Sequence, residues 1–244
     1  MSLFSPLSQR SLSLKNRIVV SPMCQYSAVD GVPSDWHLVH LGSRAIGGAA
    51  LVIAEATAVT AQGRISPADS GLWNDTQTAA WARIAQFIGA QGAIPAVQLA
   101  HAGRKASTEA PWRGGGALAV DAGGWTPVVA PSAIAFSDTY LLPAALDHAG
   151  IDAIVAAFAS SARRALAAGF QLLELHAAHG YLLHEFLSPL SNRREDDYGG
   201  SFENRIRLTR RVVAAVRAVW PEHLPLWLRI SATDWAADGE PGWD

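Results

Sequence analysis

Gly169-Phe-Gln-Leu-Leu-Glu-Leu-His-Ala-Ala-His-Gly-Tyr181 is the stretch on which the fold of this chain turns. Its apolar part, Phe170 to Leu175, is too short for a helix and follows a helical segment that Gly169 stops. It therefore reads as a buried strand. His176, His179 and Tyr181 then fall where the strand runs out into a loop, and Leu182-Leu-His-Glu-Phe-Leu-Ser-Pro189 follows. In sheets built from βα units, such strand ends are where ligands and chemistry collect. Imidazoles there can donate hydrogen bonds to a carbonyl or nitro oxygen and hold the charge that develops on it. A tyrosine beside them can deliver a proton. Two plainer readings stand next to this one. The histidines can be satisfied structural groups, or His176, His179, His184 and Glu185 can be metal ligands. An H-x-x-H spacing without a cysteine partner or an H-E-x-x-H pattern is a weak zinc signal.

Working outward, the same strand-then-helix unit recurs. Arg17 to Cys24 is a β-branched run broken by Pro22. Ser34 offers an N-cap to a helix on which Leu38, Leu41 and Ala45 recur until Gly47-Gly48. Ala50 to Ala56 is apolar but for Glu55, as a parallel strand covered on both faces should be. Asp75 is placed to cap a second helix, with Trp81, Ile84 and Ile88 on one face, and Ile94 to Leu99 is the third strand. A helix carrying Ile151, Ile154, Val155 and Phe158 precedes the opening stretch. After it, the polar run Asn192 to Gly200 reads as a solvated or self-paired loop. A helix from Ser201 to Trp220 and a fifth strand, Leu224 to Ile230, follow. Between Ala102 and Leu146 the rhythm breaks, with Gly114-Gly-Gly, Gly123-Gly and several prolines. This segment reads as an insertion that serves as a lid and holds a hairpin.

Regular β-then-α alternation means parallel strands with right-handed crossovers. Neither G-x-G-x-x-G nor a P-loop is present, which disfavours an open doubly wound sheet. The expected fold class is therefore α/β, a TIM (β/α)8 barrel of which residues 1–244 form one partial domain. Five units in 244 residues are about 49 residues each, so eight need roughly 350–400. The expectation is five βα units, with an insertion over 102–146 after the third strand.

Half of the residues are hydrophobic and 16% are charged, with a formal net charge of −2. That composition supports a sizeable core and offers no basic surface for nucleic acid. Cys24, the sole cysteine, leaves no internal disulfide and suits a reducing, cytoplasmic setting. No signal peptide or membrane span is visible, so the expected partner is a small molecule rather than a membrane or nucleic acid.

The strand ends together offer Ser21-Pro-Met-Cys24, Glu55-Ala56, Gln98 with His101, His176/His179/Tyr181, and Arg229, all expected at one barrel mouth. An amide, a thiol, a guanidinium, two imidazoles and a phenol suit a flat polar heterocycle better than a metal. The motifs Lys15-Asn-Arg-Ile-Val-Val-Ser-Pro-Met-Cys24, Gln98-Leu-Ala-His-Ala-Gly-Arg-Lys105, Glu174 to Pro189, Asn192 to Arg205 and Leu228-Arg-Ile-Ser231 resemble the Old Yellow Enzyme family. Within it, the bacterial branch of xenobiotic reductases and NADPH dehydrogenases is the nearest in pattern.

The resemblance implies FMN as cofactor and NAD(P)H as reductant. It places Ser21, Pro22, Met23, Cys24, Ala56, Gln98 and Arg229 on the flavin, Gln98 at the pyrimidine edge and Arg229 beside N1 and O2. It implies that His176 and His179 bind the substrate oxygen, that Tyr181 protonates Cα, and that Tyr26 and Lys105 line the pocket. It further implies a homo-oligomer, dimer or tetramer, for the full-length form. The family's phosphate site lies in loops after strands seven and eight, so the chain alone is expected to hold FMN weakly. Three functions stand open on the residues. One is an NAD(P)H dehydrogenase or ene-reductase (EC 1.6.99 or 1.3.1 type) acting on α,β-unsaturated carbonyl or nitro compounds. The second is a truncated, non-catalytic barrel fragment that needs its missing part or a partner. The third is a metal-dependent barrel hydrolase using His176, His179 and His184.

Overall fold

The computed structural model describes residues 2–237 and 241–243; Asp244, where the sequence reading ends the partial barrel, lies outside them. An N-terminal hairpin that the sequence pattern does not announce comes first. It pairs β1 (Leu7–Gln9) antiparallel with β2 (Leu12–Leu14). Three-residue strands carry too few alternations to be read from periodicity. The hairpin is pinned far along the chain, where the Ser11 amide and hydroxyl both donate to the His223 carbonyl at 3.1 and 2.8 Å.

The main sheet follows. β3 (Val19–Val20) is cut to two residues ahead of Pro22, which has no N–H for a ladder. α1 (Asp35–Ile46) starts at Ser34 as expected, and the Ser34 amide donates to His37 Nδ1 at 2.9 Å. β4 (Leu51–Ala58) runs two residues past its expected end. α2 (Asp75–Ala90) is capped by Asn74 rather than Asp75. The Asn74 side chain accepts the Gln77 N–H at 2.9 Å, and Asp75 turns outward to pair with Arg164. β5 (Ile94–Ala100) matches the reading.

The 102–146 stretch holds a small hairpin as expected, in which Thr108 bridges Ala117 antiparallel, the Glu109 N–H donates to the Gly116 carbonyl and the Leu118 N–H to the Ser107 carbonyl, each at 2.9 Å. Its only strands among the described residues, β6 (Val129–Ala130) and β7 (Ala144–Ala145), pair in parallel, with the chain looping round between them. Arg194 secures the base of that loop through the Pro131 and Leu146 carbonyls at 2.9 and 2.5 Å. Arg194 also forms a bidentate pair with Asp196, so the polar run is self-paired as read.

α3 (His148–Ala167) is capped by Asp147 and leads into β8 (Leu172–Ala177), so His176 sits within the strand rather than after it. The short α4 (Leu182–Leu187) is a further element the sequence did not announce. The single helix expected from Ser201 to Trp220 is two: α5 (Phe202–Arg205) and α6 (Arg207–Arg217). The first turn is drawn toward the preceding loop by Asn204, whose amide bonds the Gly199 carbonyl at 3.0 Å. Beyond α6, the Arg217 guanidinium takes the Trp220 and Pro221 carbonyls and ends the helix early.

β9 (Leu226–Ile230) completes a five-stranded, all-parallel sheet in the order β3-β4-β5-β8-β9, the curled wall of a partial TIM barrel. β4, β5 and β8 are buried along their whole length, whereas the edge strands expose Val19, Leu228 and Ile230. Leu41, Trp81, Ile88, Phe158 and Val212 bring the helices onto the outer face of the sheet as one core. Among the described residues no helix is long and apolar enough to cross a membrane.

Candidate active site

The register of the sheet stacks the functional side chains. Ala56 of β4 is level with Gln98 of β5, and Gln98 with Glu174 of β8. One step further toward the C-terminal mouth, His176 is level with Arg229 of β9. A bulge between Ala54 and Ala56 leaves Glu55 without a ladder partner. The extra residue lets Glu55 point its carboxylate away from the strand neighbours while Ala56 keeps its place beside Gln98. Gln98 Nε2 donates to Glu174 Oε1 at 2.6 Å. Burial raises the Glu174 carboxyl, opposed by Gln98 and by the Arg229 charge. In front of Glu174 and Arg229 opens a cleft of about 480 Å³, whose wall also includes Ser21, Pro22 and Trp227.

On the β8–β9 side, the His176 ring meets His179 and Tyr181 edge-on, each at 5.0 Å between centroids. His176 Nδ1 accepts the Ala178 N–H at 3.3 Å, so in the neutral ring the proton sits on Nε2, as a donor. Burial, then the charges of His179, Arg229 and Lys105, push its pKa down to about 3. Burial and the same cations also lower His179. Both rings are therefore neutral near pH 7.

His179 has φ of +61°, a left-handed conformation that a non-glycine residue adopts at a cost. It is held there from both sides. Its N–H donates to Ser231 Oγ at 3.0 Å, and its carbonyl accepts from Lys105 Nζ at 3.0 Å. The same ammonium lies over the Tyr181 ring at 4.8 Å and the Phe136 ring at 4.6 Å. Tyr181 begins α4 and packs against Ala102, Ala106 and Val128 beneath the insertion. Burial, with Cys24, Tyr26 and Asp69, holds its phenol well above the usual range, so it remains a proton carrier.

The β4 side is acidic. Glu55, 3% exposed, bonds His37 Nε2 at 2.8 Å and accepts the Gln25 N–H, which fixes the loop carrying Met23, Cys24 and Tyr26. The Cys24 thiol is pushed up by burial and by Asp69 and Glu55, and it takes a hydrogen bond from the Ala56 backbone. Tyr26, also raised by burial, has φ of +49° and stacks edge-on against Trp112 at 5.2 Å. Asp69 accepts from the Ile65 and Ser66 amides and the Ser66 hydroxyl, and burial beside Glu55 lifts its pKa to about 7.

His176, His179, Tyr181, Lys105 and Arg229 thus form one group, and Cys24, Tyr26 and Ala56 another, with Tyr181 sharing a small cavity wall with Ala56. His101 does not join them. Its ring packs against Gly63, its Nδ1 takes the Gly103 N–H at 3.1 Å, and burial lowers its pKa to about 4. His184 is turned away from the mouth, with Nδ1 accepting the Gly180 N–H at 2.7 Å and Nε2 bonding Asp234 at 2.9 Å. Glu185 caps the Arg104 amide at 2.9 Å. The strand-end reading names Glu55 without assigning it a role, and the roles of Asp69, Glu174, Ser231 and Asp234 escape it. Only the pairing of acids with Ser-Pro and Gly-rich turns hints at them.

The NADH:flavin oxidoreductase / NADH oxidase family matches the chain over residues 2–244. An NADH:flavin oxidoreductase of Gibberella zeae is 48% identical over 95% of this chain and 57% of its own length. An NADPH dehydrogenase of Geobacillus thermodenitrificans is 48% identical over 97% of this chain and 65% of its own. Among solved structures, morphinone reductase superposes with a TM-score of 0.81 at 35% identity, covering 93% of this chain and 61% of that one. The old yellow enzyme homologue from Zymomonas mobilis gives 0.81 at 33%, covering 94% and 63%. The chain spans about three fifths of the length of these relatives.

Proposed function

Because this chain belongs to the NADH:flavin oxidoreductase / NADH oxidase family, we propose that it serves an FMN-dependent oxidoreductase. The enzyme takes electrons from NAD(P)H and reduces activated C=C bonds of α,β-unsaturated carbonyl or nitro compounds. The observation that carries this reading is the contact of His176 with both His179 and Tyr181 at 5.0 Å, directly across the sheet from Arg229.

The donor set suits a flavin ring. The Gln98 amide offers both a donor and an acceptor to an imide edge. Arg229 brings a fixed positive charge to the side of the ring that turns anionic on reduction. The cleft beside Ser21, Pro22 and Arg229 is open enough for a flat heterocycle. When bound, FMN supplies the hydride chemistry. The protein's own part follows from its residues. His176 donates from Nε2 to the substrate oxygen, joined by His179, and both do so as neutral rings at no cost in repulsion from Arg229. Tyr181 adds the proton on the carbon next to the activating group. Lys105, held over the phenol, keeps Tyr181 and the His179 backbone in register. Tyr26 and Cys24 close the opposite wall.

Loading the protein with FMN and recording its flavin spectrum tests the cofactor. NADPH or NADH under anaerobic conditions should bleach it, and a cyclic enone or nitroalkene should restore it. A bleached flavin that neither acceptor reoxidises would sink the substrate assignment.

A further inference from the structure

Each turnover in the function proposed above takes a proton from Tyr181, and that proton has to come back. Among the described residues the Tyr181 hydroxyl makes no hydrogen bond to the protein. Beside it lies a cavity of about 10 Å³, the space of a single water. Its wall is formed by small residues, Ala56, Ala58 and Ala100 among them, and by the 63–69 loop. The polar side chains on that wall are Tyr181, Asp69 and Arg64. Asp69 is 3% exposed. Its Oδ2 accepts two amides, from Ile65 at 2.7 Å and Ser66 at 3.2 Å, whereas among the described residues Oδ1 accepts only the Ser66 hydroxyl at 3.0 Å. A lone pair on Oδ1 is left for a further donor.

The geometry points to Asp69 as the residue that returns the proton to Tyr181, through one water held in this cavity. The assignment rests on Tyr181 being the proton donor of the proposed reaction. The step balances without electron transfer. The Tyr181 O–H bond breaks as the substrate C–H bond forms. The phenolate then takes a proton from the water, the water takes one from the Asp69 carboxyl, and the carboxylate regains its proton from solvent. The groups facing Asp69 are Glu55 from β4, Arg64 from its own loop, Cys24 and Tyr26 from the loop after β3, and Tyr181. Burial and Glu55 outweigh the amide donors and bring Asp69 to about 7, where it exchanges a proton readily at neutral pH. A carboxylate whose sole task was to cap the Ile65–Ser66 turn gains nothing from being protonated, because the amides prefer the ionised form.

Infrared spectra of the unmutated chain, with its aspartates labelled at the carboxyl carbon, test this without depending on turnover. Between about pH 5 and 9, a protonated-carboxyl band should titrate near pH 7 and vanish in Asp69→Asn. An Asp69 that is ionised throughout overturns the inference. On the FMN-loaded protein, Asp69→Asn should slow enone-dependent turnover about a hundredfold below pH 7, the low end for positioned proton transfer, and erase the pH limb. Reduction by NAD(P)H should stay as it was. A slow Tyr181→Phe with an Asp69→Asn that keeps the wild-type rate and limb overturns this inference alone. Tyr181→Phe at the wild-type rate overturns it together with the function it rests on.

Discussion

On the β8–β9 side of the mouth, His176 stands among His179, Arg229 and Lys105, and its pKa falls to about 3. On the β4 side, Asp69 stands beside Glu55 and its pKa rises to about 7. Burial is the largest cause in both cases, and like-signed neighbours add to it, so the two sides move in opposite directions toward the same result, an uncharged group. Cations are gathered with imidazoles and acids with the thiol and phenols. In the proposed reaction Tyr181 takes a proton from one set and presents it at the other. A mouth in which His176 paired directly with an acid would hold a salt bridge in place of a neutral donor, and would bind a substrate oxygen less well.

The comparison breaks most completely at the residue that joins the two sides. Tyr181→Phe should lower the rate of substrate reduction roughly 10²–10⁴-fold while flavin binding stays unchanged, as measured by stopped-flow reoxidation. Glu55→Ala removes the anchor of the acid side. It should cost about 3–5 kcal/mol in urea unfolding, because His37 and the Gln25 amide lose a buried partner. His176→Ala, on the other side, should weaken a phenolic ligand by about 1–3 kcal/mol in a titration of the yellow protein while leaving the flavin in place. Loss of the flavin instead would mean that the ring serves the cofactor.

The pH dependence of stability sharpens the contrast, since the two sides carry opposite signs. His176 and His101 have folded pKa values below the ordinary 6.5, so the unfolded chain binds more protons as pH falls. Their contribution is full above about 6.5 and is lost toward pH 3–4. Asp69 is raised, so its contribution runs the other way and shrinks as pH climbs from its unfolded value of 3.8 toward 7. Asp69→Asn should therefore make urea midpoints rise more steeply between about pH 4 and 6.5, by up to about 1.4 kcal/mol per pH unit. The smallest effect belongs to Lys105→Met, which should cost about 0.5–2 kcal/mol through the lost cation–ring contacts. It should also loosen His179, visible as faster amide exchange at Gly180.

The alternation of buried strands and helices was open to reading because a strand covered on both faces has to be mostly apolar, and Leu51–Ala56, Ile94–Leu99 and Leu172–Leu175 each carry a single polar residue, Glu55, Gln98 and Glu174. The hairpin β1–β2, the short α4 and the break at Ile206 were not. Each is set by contacts from elsewhere: His223 on Ser11, the insertion and β5 loop around α4, and Gly199 on Asn204. The strand-end rule singled out His176, His179, Tyr181, Gln98 and Arg229, of which the sheet register sets His176 level with Arg229. It also drew in His101, whose ring turns back onto Gly63.

The sequence by itself determined the parallel barrel wall and the family, because periodicity and local motifs act over a few residues. Tertiary structure alone decided the ionisation of His176 and Asp69. Desolvation and the charges of Arg229, Lys105, Glu55 and Asp69 act across strands that lie far apart in the chain, and no local pattern records the distances between them. Tertiary structure also decided the strained backbone at His179, since Ser231 and Lys105 reach it from 52 and 74 residues away.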